Sequence, residues 1–288
     1  MSVLTLVSDP EDATALESGE AHHARLAGEL AGRVKMLLIA VDRDPGAAKK
    51  IHAGLVRFCD RSLLPHAAAE EAVLYPVAHG MPEARLLIES LIGEHRCLTA
   101  LVDTLRAAPG PAGAAADARA LQVLFEEHVA KDNGLVLPLL AMAPEVSLAT
   151  VLGDMHHRLA RDVPATGAEE DRNTEEDQNT EEGQDTEEGQ DMREQTEETG
   201  GCGGVCGCGG TEETATPELD VREVPHALRH ATVFGALDAV PAGTAMVLVA
   251  PHDPLPLLAQ IEQRSPGMFS VEYLERGPEA WRLRLSHR

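Results

Sequence analysis

The chain has 288 residues and carries 48 acidic against 24 basic side chains, a net charge of −24 with histidines neutral. That balance argues against nucleic acid or an anionic membrane as a partner, because both would repel it. The longest apolar run, Met36–Val41, falls far short of the ~20 residues a bilayer requires, no basic-apolar leader is evident, and five cysteines do not make a secreted disulfide framework, so a cytoplasmic protein is expected. Periodicity then predicts helices in sequence. The first covers 18–42, capped by Ser18, with His23, Leu26, Leu30, Val34, Leu37 and Val41 on one face. The second covers 47–78 and contains Pro65, which predicts a kink. The third covers 82–107 with Pro82 at its first position, the fourth 114–141, and a short fifth 145–160. Long helices joined by short connections predict an all-α up-down-up-down four-helix bundle over 1–164.

The charge is unevenly spread. Residues 165–216 hold 17 acids and 2 bases, and a six-residue repeat begins at Asn173-Thr174-Glu175-Glu176. With almost nothing apolar to bury, this segment is expected to be a disordered acidic linker. Residues 217–288 change period. Strands at 218–222 and 246–249, helices at 226–240 and 254–264, and a hairpin of 269–276 with 280–286 across Gly277-Pro278 predict a small α+β two-layer domain in βαβαββ order.

Polar residues interrupt the faces that should form the bundle core. The second helix presents Cys59, Leu63, His66, Glu70, Val73 and Val77 at steps of three and four. The fourth does the same with Leu121, Phe125, His128, Asp132, Leu135 and Leu139, and the third with Leu87, Leu91, His95, Leu98, Val102 and Leu105. His66-x-x-x-Glu70 stands ten residues (His66 to Pro76) before a proline, and His128-x-x-x-Asp132 stands ten before Pro138. This doubled register suggests an internal duplication of a helical hairpin. Each buried group left unpaired costs about 1–3 kcal/mol, and carboxylates cost more. Six together would rival the ~5–15 kcal/mol that holds a domain folded. Internal pairing could offset part of this; a metal offsets more, because imidazole and carboxylate spaced i, i+4 project to one point inside a bundle. His23, His66, Glu70, His95, His128 and Asp132 are therefore the candidate ligands, with adjacent His22 an alternative to His23. If Glu70 and Asp132 each bridge two ions, the set supplies four bonds per ion. A bridging oxo or hydroxo makes five and leaves a position open for a small ligand. Iron is the expected metal, with manganese or zinc as alternatives. Glu20, Glu71, Glu94 and Glu127 are candidates to hold the outward ring nitrogens.

At these residues the chain resembles the hemerythrin-like, or HHE cation-binding, family: His23, His66-x-x-x-Glu70 running into Leu74-Tyr75-Pro76, Glu94-His95-Arg96, and His128-x-x-x-Asp132 running into Leu137-Pro138. The resemblance covers about 15–160. It implies an antiparallel four-helix bundle holding two non-haem iron ions, oxo- or hydroxo-bridged, that take up oxygen, nitric oxide or peroxide. Oxygen carriers of the family place a further histidine one turn from the third-helix ligand, where this chain has Leu91 and Thr99. The four-histidine, two-carboxylate set is similar to di-iron proteins implicated in iron–sulfur cluster repair under nitrosative or oxidative stress.

Cys202, Cys206 and Cys208 sit among glycines, where three thiols could bind metal or cycle through disulfides. Cys59 and Cys97 are expected to be small core residues. The tail resembles an uncharacterised domain often fused to hemerythrin-like bundles and related to the sulfur carrier TusA, through Leu219-Asp220-Val221-Arg222, Pro251-His252-Asp253-Pro254 and Gly277-Pro278-Glu279-Ala280-Trp281. His226 stands where those carriers have cysteine, and His226, His230 and His252 are candidates for a second metal or haem site. The expected function is binding or sensing of a small diatomic or peroxide ligand, with a mobile tail that responds to or services the iron. The alternatives are iron delivery to, or repair of, an iron–sulfur partner through the thiols, and reduction of nitric oxide or peroxide with a redox partner. No nucleophile–base pair or phosphate loop is apparent, which argues against a hydrolase or kinase.

Overall fold

The computed structural model describes residues 9–162 and 216–288. The first helix, α1 (Pro10–Arg43), starts eight residues earlier than periodicity suggested. Asp9 caps it by accepting from the Glu11 N–H at 2.8 Å, and Pro10 takes the first position, where its missing N–H costs nothing. The second rod is segmented: α2 (Pro45–Phe58), a π turn (Cys59–Leu63), α3 (Leu64–Ala69), a second π turn (Glu70–Leu74) and α4 (Tyr75–His79). Its start is set by Asp44, whose side chain accepts from the N–H groups of Gly46 and Ala47. The third rod, α5 (Arg85–Ala107), begins three residues after Pro82, which lies in the preceding turn. The fourth comprises α6 (Pro111–Lys131), a π turn (Asp132–Val136) and α7 (Leu137–Met142). A fifth helix, α8 (Leu148–Asp162), packs against α1, α3 and the second π turn. Its N-terminus is capped from α1 by buried Asp12, which accepts from the Ala149 N–H at 2.8 Å.

The three π turns share one cause. Each begins six residues before a proline: Cys59 before Pro65, Glu70 before Pro76, Asp132 before Pro138. Proline offers no N–H and its ring collides with the carbonyl four residues back, so the preceding turn loosens to i→i−5 bonding. Leu64, Tyr75 and Leu137 accordingly donate to the carbonyls of Cys59, Glu70 and Asp132. The extra residue rotates the inward face by about 100°. Beyond Glu70 the core positions are therefore Leu74 and Ala78 rather than the expected Val73 and Val77. Beyond Asp132 they are Val136 and Leu140, while Leu135 is exposed.

The tail contains β1 (Glu218–Asp220), α9 (His226–Leu237), β2 (Ala245–Ala250), α10 (Leu255–Arg264), β3 (Phe269–Arg276) and β4 (Trp281–His287). Its sheet order is β1-β2-β4-β3, with β1 parallel to β2 and the other pairs antiparallel, as βαβαββ predicts.

The tail is packed on the bundle rather than set apart from it. α1 crosses α9 at backbone contact: a Cβ added at Gly32 would stand 2.1 Å from the Thr232 carbonyl oxygen, and one at Gly235 2.2 Å from that of Glu29. Leu30 and Val34 of α1 join Val233 and Ala236 of α9 in one hydrophobic core. Asp238 accepts from Arg33 at 2.6 Å and from Arg264 at 2.8 Å, tying α1, the end of α9 and α10 together. A second core occupies the other end of the bundle, built on Leu74, Ile88, Leu91, Leu137, Leu140 and Leu152.

Candidate metal centre

Between those two cores lies the polar layer. Leu63 belongs to the first core and Ala69 to the second, with His66 between them. Leu98 and Leu91 flank His95 in the same way, and Val129 and Val136 flank Asp132. All six expected ligands are buried, with Glu70 and Asp132 fully inaccessible. His23 is the inward member of its pair: its Nε2 stands 3.3 Å from Glu70 Oε1, whereas His22 belongs to neither ligand group.

Glu70 is the centre of the arrangement. Its Oε1 faces His23 Nε2 at 3.3 Å and His66 Nε2 at 3.1 Å; its Oε2 faces His95 Nε2 at 3.3 Å and His128 Nε2 at 3.8 Å. Two groups of converging ligand atoms result, His23–His66–Glu70 and Glu70–His95–His128, sharing that one carboxylate. Asp132 lies on the second side, Oδ2 3.0 Å from His128 Nε2. Buried Tyr75, on the turn after Glu70, donates its hydroxyl to Asp132 at 3.2 and 3.3 Å.

The outward nitrogens fix the tautomers. His95 Nδ1 lies 2.9 Å from Glu71 Oε1, His128 Nδ1 3.2 Å from Glu94 Oε2, and His23 Nδ1 2.5 Å from Asn133 Oδ1. An ionised carboxylate only accepts, so the ring nitrogens facing Glu71 and Glu94 carry protons, as does that facing Asn133 with its oxygen turned inward. In neutral rings the Nε2 atoms of His23, His95 and His128 then present lone pairs to the interior. The Nε2 atoms of His95 and His128 stand 2.9 Å apart, lone pair against lone pair. Both nitrogens of His66 and both oxygens of Glu70, although close to neighbours, make no hydrogen bond of acceptable geometry. Such orphans are costly to leave unmatched in a dry interior, and a bound cation would satisfy the inward-facing ones, His66 Nε2 and the Glu70 oxygens. The donor set fits.

Without a cation, protons are the substitute, and titration behaviour reflects this. Burial opposes charge on His128, yet contacts with Asp132 and Glu70 push its pKa up to about 10. His23 is also raised on balance, burial being outweighed by Glu70. Glu70 is held well below the usual carboxylate range by His66, His128 and His23 despite burial, while burial and the neighbouring Glu70 charge raise Asp132. Tyr75 is driven upward by burial and both carboxylates, so its proton stays on.

Of the anticipated outer acceptors, Glu71 and Glu94 hold ring nitrogens, and Glu94 is in turn paired with Lys131. Asn133 and Tyr75 were not foreseen in these roles; their signal is position, one residue after Asp132 and five after Glu70, where a π turn swings the chain inward. A crevice lined by Gly19, His22, Leu152, Met155 and His156 reaches the His23–His66 side. A larger cavity of about 250 Å³, bordered by Met36, Arg43, Pro217 and Pro241, contains none of the ligands.

Among the described residues the two groups above are the ones where three such ligand atoms converge. His226, His230 and His252 are exposed and do not converge; His230 Nδ1 instead meets Gln260 Oε1 at 3.1 Å. Cys202, Cys206 and Cys208, with the acidic repeat, lie outside the described residues. Cys59 is buried, which pushes its thiol up to about 12, but Cys97 is exposed rather than in the core. No described helix is long and apolar enough to cross a membrane.

Residues 14–140 match the family model described as Hemerythrin HHE cation binding domain. Residues 218–287 match one described as Uncharacterized conserved protein (DUF2249). No curated protein and no solved structure matches the chain.

Proposed function

Because the N-terminal domain belongs to the hemerythrin HHE cation-binding family, we propose that its polar layer holds two iron ions and that the protein binds or senses a small oxidant: oxygen, nitric oxide or peroxide. The observation that carries the reading is the 2.9 Å approach of the His95 and His128 Nε2 atoms, both aimed at Glu70 while their Nδ1 N–H groups are held by the Glu71 and Glu94 carboxylates, respectively. Neutral imidazole and carboxylate ligands suit iron, and Glu70, fully buried with one oxygen facing each histidine pair, would contribute to holding both ions. Bound iron would supply redox chemistry towards such a small ligand.

The chain's own groups define what can happen there. Glu71, Glu94 and Asn133 keep three rings oriented with their lone pairs inward. Tyr75 holds Asp132 and keeps its proton. The two hydrophobic cores keep bulk water away from both ends of the layer, and a narrow crevice past Gly19 and Leu152 reaches its His23–His66 side.

The test is an anaerobic iron-loaded sample exposed in turn to oxygen, nitric oxide and hydrogen peroxide under visible spectroscopy. A reversible, stoichiometric colour change with at least one of them supports binding or sensing. Sustained turnover with an added reductant replaces that reading with catalysis, and loss of iron to an apo-cluster acceptor, abolished when Cys202, Cys206 and Cys208 are changed, replaces it with delivery.

A further inference from the structure

The two halves of the polar layer differ in their surroundings. On one side His95 and His128 each donate an outward N–H to an anionic carboxylate, Glu71 at 2.9 Å and Glu94 at 3.2 Å. On the other, His23 meets the neutral amide of Asn133, and the outward nitrogen of His66 meets no acceptor at all. The neighbour of His66 is another imidazole, His22, with ring centroids 5.0 Å apart, and His156 follows 6.0 Å beyond it. Asp132 adds to the contrast, because its Oδ2 stands 3.0 Å from His128 Nε2 and its other contact is the Tyr75 hydroxyl. Glu70 is common to both sides, one oxygen to each pair.

Two physical consequences follow. A carboxylate accepting the outward N–H pulls the proton away from the ring and makes the inward nitrogen a better donor to a cation; loss of one such partner typically weakens metal binding by 10- to 100-fold. A neutral amide does this weakly, and an unpartnered nitrogen does not do it. Formal charge acts in the same direction. The His95–His128 side has Asp132, Glu71 and Glu94 against it, offset by Lys131 on Glu94, whereas the unshared neighbours of His23 and His66 are Asn133, His22 and each other, and the Asp132 charge reaches His23 only from beyond ion-pair distance.

We propose that the centre loads in order: one divalent cation enters tightly on the His95–His128–Asp132 side, and a second binds more weakly on the His23–His66 side, with Glu70 common to both. This deepens the cation reading above and rests on it. The weaker half is also the one that the Gly19–His22–Leu152–Met155 crevice reaches.

The experiment is stepwise addition of cobalt(II) to the metal-free full-length protein, followed by its visible ligand-field bands and by competition with a chelator of known affinity. The expected result is two resolved steps with dissociation constants at least about tenfold apart. Glu94→Gln weakens the first step by about 10- to 100-fold and leaves the second within about threefold. Glu71→Gln, at a partly exposed position where folding is not at stake, does the same. Asn133→Ala acts on the second step alone. A single unresolved two-ion step, or Glu94→Gln and Glu71→Gln acting on the second step, overturns the order while leaving the cation reading intact. Absence of any cobalt binding overturns the cation reading and the order with it.

Discussion

Replacing Gly32 by alanine is the sharpest test of how the tail is held. The added Cβ would stand 2.1 Å from the Thr232 carbonyl oxygen and 2.6 Å from the Ala236 nitrogen, where ordinary contact begins at 3.4 Å. Both obstacles are backbone atoms of α9 and cannot rotate away, so the helices must part by roughly 1.3 Å, a gap that forfeits about half of each dispersion contact across the crossing. Overpacking of this kind costs about 3 kcal/mol, at the upper end of its usual range. Alanine returns up to about 1 kcal/mol as a better helix former than glycine, which leaves a net loss of about 2 kcal/mol. Gly93 on α5 is the control, since a Cβ there meets nothing within 4 Å. Gly93→Ala should therefore stabilise by up to about 1 kcal/mol. The chain's one tryptophan, Trp281 on β4, packs against the shared core and reports tail unfolding directly. By its fluorescence, Gly32→Ala should lower Tm by about 4–8 °C and Gly93→Ala should not lower it. Equal midpoints for Gly32→Ala and the unmodified chain would refute the docking argument.

Three further outcomes are expected. In the metal-free protein, His23 and His128 have folded pKa values raised above their ordinary 6.5, that of His128 to about 10, so the stability they confer is fully present below pH 6.5 and is lost as pH rises towards 10. Tm should fall across that window in metal-free protein and stay level in cation-loaded protein; a metal-free Tm that rises there contradicts the assignment. His22→Ala should retain bound metal, whereas His23→Ala should lose at least one ion by elemental analysis, because only His23 faces Glu70; the reverse result would reassign the ligand. Asp12→Ala should cost about 1 kcal/mol in urea denaturation by uncapping α8 across the helix junction, and no change would show that the cap is idle.

Much of this architecture could be read from residue order because the periodic signal and the chemistry agreed. His66, Glu70, His95, His128 and Asp132 interrupt apolar stripes at positions where a buried charge needs a reason, and the structure gathers them in one layer. What periodicity alone missed is local and has one origin. A fixed 3.6-residue period carried through Glu70 and Asp132 leads to Val73 and Leu135, but a proline six residues downstream opens each turn and transfers burial to Leu74 and Val136. The cue, Pro76 and Pro138, was visible; its consequence is a backbone geometry that a helical wheel does not contain. The start of α1 was missed for a similar reason: Asp9-Pro10 is a strong stop-and-start signal lying ahead of the apolar stripe. The outer acceptors depended on distances between different rods, so Glu71 and Glu94 could not be separated in advance from Glu20 and Glu127. Tail docking was least legible, because Gly28, Gly32 and Gly235 identify a close crossing only when both helices are known. A continuous core and the Asp238 ion pairs now replace the expected mobility of that domain.

In the proposed centre Glu70 joins two cation sites through one buried carboxylate. Metal content per chain, by elemental analysis of iron-supplemented protein and of a Glu70→Ala variant whose fold is verified by circular dichroism, tests it most directly. Two ions in the unmodified chain, and loss of both or of all but a weakly held one in Glu70→Ala, is the outcome expected. A folded unmodified protein that carries no metal, or a Glu70→Ala protein that keeps two, would contradict it.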